Sequence, residues 1–103
     1  MPVYSSTTII FLILFIGNNV NAQTEIGKGW EHWTSGDIPK AQFVAESILT
    51  DRPTHNEALH LQSLSLFVQG KYRESIAAFS KIDSAYAKYD KVGRAMVDAY
   101  IHL

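Results

Sequence analysis

Gly36-Asp37-Ile38-Pro39-Lys40-Ala41 and Gly70-Lys71-Tyr72-Arg73-Glu74-Ser75 match one another at an offset of 34 residues, and this match decides the fold. The register holds on both sides of the glycines. It pairs Gly29 with Ser63, His32 with Leu66, Ile38 with Tyr72, Ala41 with Ser75, Ala45 with Phe79 and Ile48 with Ile82. One further step pairs Leu66 with Tyr100. Many pairs in a single register mark an internal repeat, and a repeat of this length is one supersecondary unit that buries its apolar face against its neighbours.

The same stretches carry helix punctuation. Gly36 and Gly70 each follow a run with helical apolar spacing, where a residue with easy access to positive φ ends a helix. Asp37 stands where it can cap the next helix, and Pro39 is tolerated in a first turn whose N–H groups have no intrahelical acceptor. Pro53 closes that helix, and Thr54 with Glu57 has the spacing of a capping box for the one after it. The pattern predicts five helices, at roughly 24–35, 38–51, 55–69, 72–84 and 90–103, with no strand-like alternation to compete. The central helix, apolar at Leu59, Leu61, Leu64, Leu66, Phe67 and Val68, is predicted to be flanked on both sides.

A 34-residue helix-turn-helix with small, aromatic, glycine and proline residues at these spacings resembles the tetratricopeptide repeat. The second copy carries the resemblance on Leu59, Ser63, Leu66, Gly70, Tyr72, Ser75, Phe79 and Ile82, and the first on Gly29, Gly36, Ala41, Ile48, Leu49 and Pro53. The resemblance implies an all-α fold, a short right-handed α-solenoid of antiparallel helix pairs in about two and a half units, with repeats at about 22–55, 56–89 and a partial 90–103. It also implies that small residues at Gly29, Ser63, Ala41 and Ser75 let paired helices approach closely. The first helix departs from the family, with Glu25, Lys28 and His32 at positions that are usually apolar and a stripe of Ile26, Trp30 and Trp33 instead, so its register is open.

In that family the first helix of each pair lines an inner, concave surface. The matching positions here are Ile26, Trp30 and Trp33, then His60, Leu64 and Phe67, then Arg94, Asp98 and Ile101. The resemblance therefore implies a partner-binding groove with an apolar centre and charge toward its C-terminal end. The competing reading of Trp30 and Trp33 places them in the core between the first two helices. Trp30 and Leu64 stand where the family's carboxylate-gripping members have asparagines, which favours an apolar or amphipathic peptide over an acidic chain terminus.

Composition bounds the remaining choices. Nine basic and ten acidic residues in 103 give a net charge of −1 with no run of one sign, so a nucleic-acid partner is disfavoured. There is no cysteine, which excludes disulfides, thiol catalysis and thiolate-bound zinc. Of the four histidines, His55 and His60 lie five apart, about 140° around a helix, too far for a shared ligand site. No HExxH, phosphate-binding glycine loop or nucleophile elbow occurs, so the sequence predicts neither enzyme activity nor a metal or other cofactor.

The first 24 residues carry no charged side chain, and Ile9 to Ile16 form an apolar block followed by Gly17 and a polar stretch. The block has the length of a signal h-region and falls short of the ~20 residues of a membrane-spanning helix. Val20 and Ala22 fit the small-residue rule for cleavage after Ala22, which divides the chain into a signal peptide over 1–22 and a repeat domain over 23–103. The ending Asn19-Val20-Asn21-Ala22-Gln23 resembles exported proteins of the Bacteroidota. A secreted or periplasmic location follows, with an N-terminal membrane anchor as the alternative because the n-region lacks Lys and Arg.

Together these readings predict a non-catalytic scaffold that holds a protein or peptide segment in an apolar, aromatic groove outside the cytoplasm. The alternative is the targeting and repeat region of a larger enzyme or receptor, since the fifth helix stops before the glycine and partner helix that the period calls for. The excess of apolar residues on that helix, Val92, Met96, Val97, Tyr100 and Ile101 among them, further predicts self-association through it.

Overall fold

The computed structural model describes residues 24–103, and every regular element among them is an α-helix. Helix α1 runs over 24–34, α2 over Ile38–Asp51, α3 over Asn56–Val68, α4 over Tyr72–Phe79 and α5 over Tyr89–Ile101. The signal peptide expected over 1–22 lies outside the described residues. No helix among the described residues is long and apolar enough to cross a membrane.

The two glycine turns are built alike. At the first, the Gly36 N–H donates to the Trp33 carbonyl at 3.1 Å and the Asp37 N–H to the His32 carbonyl at 2.8 Å. At the second, Gly70 donates to Phe67 and Lys71 to Leu66, each at 3.0 Å. This pair of bonds satisfies the last carbonyls of a helix only when the intervening residue is left-handed, and Gly36 and Gly70 have φ of 87° and 78°. Asp37 caps α2 as expected, its Oδ1 accepting from the Lys40 N–H at 3.3 Å, with Pro39 in the first turn.

Two local expectations are corrected. The cap of α3 is not Thr54 but His55, whose Nδ1 accepts from the Ala58 N–H at 3.1 Å. A turn closed by the His55 N–H on the Arg52 carbonyl moves the helix start one residue along, so Glu57 comes too early to complete a capping box and its carboxylate is left for another partner. The second correction concerns α4, which ends at Phe79 and not near 84. Short-range bonds from Lys81 to Ala78 and from Ile82 to Phe79 tighten the chain there, and the Asp83 N–H donates to Asn56 Oδ1 at the start of α3. The detour buries Ile82 beside Leu59, Val92 and Met96.

Helix α3 is central. It packs against α2, α4 and α5, and it supplies Ala58 and Leu61 to a core with Ile26, Ala41, Ala45 and Ile48, and Leu59 to a second core with Ile82, Val92 and Met96. Both of its sides are therefore covered, which is why it reads as apolar all round. The small residues sit where helices meet. Gly29, Ala41, Ser63 and Ser75 are all buried, and the Ser75 hydroxyl donates to the Ser63 carbonyl across the α3–α4 contact at 2.6 Å.

Candidate functional site

A chain of aromatic rings crosses the molecule from α1 through α3 to the segment before α5. Trp33 and Trp30, three residues apart and so on neighbouring positions of one helical face, meet edge to face with centroids 6.4 Å apart. The Trp30 ring meets His60 at 4.9 Å, and His60 meets Tyr86 at 5.8 Å, again edge to face in both cases. Such T-shaped pairs align the positive edge of one ring with the negative face of the next.

Two polar bonds pin the chain. The Trp30 indole N–H donates to Glu57 Oε1 at 3.0 Å, and His60 Nδ1 lies 3.1 Å from the Tyr86 hydroxyl. Glu57 and His60 stand three apart on α3, which aims both toward α1 and the Tyr86 segment. His60 is 7% exposed, whereas Trp30, Trp33, Glu57 and Tyr86 keep part of their surface in solvent.

The environment favours neutral rings. Burial, and then the Lys88 ammonium, lowers the His60 pKa from 6.5 to about 4, against an opposing effect of Glu57. Burial, and then the Glu57 carboxylate, raises the Tyr86 pKa. Both side chains are uncharged at neutral pH, so the cluster acts there through ring faces, hydrogen bonds and the Glu57 carboxylate.

The nine residues expected to line the groove have different fates. Ile26 is buried in the first core and offers no surface. Trp30 and Trp33 pack against that core and remain half-buried, and with His60 they are brought together. Leu64 is half-buried, and Phe67 packs against the second core with its ring 5.6 Å from Tyr72. Arg94, Asp98 and Ile101 are exposed on α5, with no ring contact, hydrogen bond or ion pair joining them to Trp30 or His60. Glu57 and Tyr86 are the members that sequence reasoning missed. Glu57 has the spacing of a capping residue, and Tyr86 lies in an irregular segment with no periodic signal.

No group of three or more His, Asp or Glu among the described residues is arranged to hold a metal ion. Compared with family models, with curated proteins and with solved structures, the chain matches none.

Proposed function

We propose that the chain is a non-catalytic interaction scaffold, a short α-solenoid of the tetratricopeptide kind, whose aromatic face holds a peptide or protein segment and makes or breaks no bond. The observation that carries this reading is the line Trp33–Trp30–His60–Tyr86, four rings drawn from three separate elements and left partly open to solvent at both ends. Half-buried tryptophans on a rigid base lose little side-chain entropy on binding, and Trp and Tyr are the residue types most often found as anchors. The glycine turns and the small-residue helix contacts recurring at 34 residues support the solenoid arrangement. With cleavage after Ala22, the scaffold acts outside the cytoplasm, and N-terminal sequencing that begins at Gln23 is the matching observation.

Panning a display library of random 12-residue peptides on the purified chain tests the reading. Peptides that bind the wild type and lose binding to Trp30→Ala or Trp33→Ala, while keeping it for Phe43→Ala on the exposed face of α2, are the expected result. Circular dichroism establishes that each variant is folded. Failure to enrich any peptide, or binding indifferent to both tryptophans, overturns the proposal.

A further inference from the structure

Around Trp30 the charges do not balance. The indole N–H is bound to Glu57, yet a carboxylate has about four acceptor positions and no cation among the described residues lies within ion-pair distance of this one. On another flank Trp30 lines an open depression of about 400 Å³ whose other walls are Gly27, Glu31, Thr34 and Ser35. The one charged residue of that depression is again an acid. The hydroxyls of Thr34 and Ser35 are turned back onto the Trp30 and His32 carbonyls, and so bring no donor to Glu31.

Three bases of these elements are engaged elsewhere or uncharged. His60 is neutral at physiological pH. Lys28, on the same helix as Trp30, lines a different hollow with Glu25, Phe43, Val44 and Ser47. Lys88 is exposed and acts on His60, but its ammonium forms no ion pair with Glu57. What remains is a half-buried indole bound to one carboxylate and sharing a depression with a second, neither of which forms an ion pair among the described residues.

We infer that Trp30, Glu57 and Glu31 select a partner segment that presents an arginine or lysine side chain to this face. A cation against an indole ring gains from the ring quadrupole, most strongly for tryptophan, and a charge-assisted bond to a partly desolvated carboxylate is about twice as strong as a neutral one. Arginine matches both features, since its planar guanidinium stacks on rings and forks onto carboxylates. The apolar remainder of the segment then lies along the ring line toward Tyr86. This inference rests on the scaffold reading and adds the chemistry of the partner.

The peptides selected on the wild-type chain supply the probe. Aligned, they should share one arginine or lysine position. Replacing that arginine by citrulline, its uncharged near-isostere, should weaken binding about tenfold at low salt, as followed by tryptophan fluorescence, with the difference shrinking as salt is raised. Glu57→Gln keeps an acceptor for the indole N–H and so the fold, and Glu31→Gln alters an exposed residue. In the double variant the arginine and citrulline peptides should bind alike. Selected peptides that depend on Trp30 but share no basic position, or a citrulline peptide that binds the wild type equally well, overturn the inference and leave the scaffold reading standing. Failure to select any peptide overturns both.

Discussion

Gly29 in α1 and Leu61 in α3 approach so closely that a Cβ atom on the glycine would stand 2.6 Å from the leucine Cδ2 methyl. It would also stand 3.0 Å from Val44 Cγ1 in α2. Three helices meet at this point without a side chain from α1 between them. Gly27, two residues earlier on the same helix, has nothing within 4 Å of its Cβ position.

The two glycines therefore respond oppositely to alanine. Alanine gains about 1 kcal/mol of helix propensity at either site, but at Gly29 it must displace a fully buried leucine and a stiff valine, and overpacking of this kind costs roughly 1–3 kcal/mol. Gly27→Ala should raise the urea midpoint, and Gly29→Ala, with the propensity gain offset by the overpacking, should lower it by the equivalent of up to about 2 kcal/mol. A Gly29→Ala variant stabilised as much as Gly27→Ala would show that the helices are not in contact there.

Ser75 gives a second measure of the same packing. Its hydroxyl donates to the Ser63 carbonyl and touches the Met96 sulfur at 3.1 Å, and neither serine has exposed surface. The repeat places Ala41 at the matching position, so alanine fits the space and Ser75→Ala should cost only the hydrogen bond, about 1 kcal/mol. Ser75→Leu has no room and should cost 2 kcal/mol or more, on the order expected for strained cores. Thermal melts of both variants check the ordering.

Much of this architecture is legible in the chain because it is local. Glycine followed by a capping aspartate, a proline in a first turn and a 34-residue recurrence of small residues each act over a few residues or at a fixed spacing, and α1, α2 and α3 lie within a residue or two of their expected bounds. What escaped reading depends on distant partners. The end of α4 is set by burial of Ile82 and by Asn56, 27 residues away from Asp83. Glu57 serves Trp30 across the same separation of 27, after a turn at Arg52 has moved the cap to His55. Of the site, Trp30, Trp33 and His60 were readable as one face, but Ile26 was not readable as core, because the register of α1 is settled only by its contacts with Ala41, Ala45 and Leu61.

His60 makes stability depend on pH. Its folded-state pKa of about 4 lies below the 6.5 of an unperturbed ring, so between these values the unfolded chain binds more protons than the folded one. Stability from this residue is complete above about pH 6.5 and is lost as pH falls toward 4, by on the order of 2 kcal/mol. The groups facing the ring are Trp30 from α1, Glu57 from its own helix, and Tyr86 and Lys88 from the segment before α5. His60→Gln should be less stable than wild type at pH 7 and should lose less on acidification to pH 4.5. Proton resonances of the ring should titrate near pH 4; a midpoint near 6.5 would refute the assignment.

The last expectation concerns α5, which turns Val92, Met96 and Ala99 into the molecule and leaves Val97, Tyr100 and Ile101 outside. Val97, Tyr100 and Ile101 are spaced three and four apart and form one stripe, with exposures of 59%, 72% and 71%. The recurrence makes the contrast sharp, because Gly29 and Ser63, at the positions matching Val97, are both covered by the following helix. Met96, which the sequence placed among the contact residues, is 4% exposed and packs with Leu59, Ile82 and Val92, so it is excluded from any association surface. Arg94 and Asp98, one turn apart and exposed, border the stripe on its Ile101 side. A stripe of three side chains per copy supports only a weak dimer, with a dissociation constant on the order of 0.1 mM once the entropy of association is subtracted. Sedimentation velocity should show a concentration-dependent coefficient for the wild type and a constant, monomeric one for Val97→Lys combined with Ile101→Glu, with equal helicity by circular dichroism. A wild type that sediments as a monomer up to 1 mM, about tenfold above that constant, would mean that the stripe is tolerated in solvent and does not drive association.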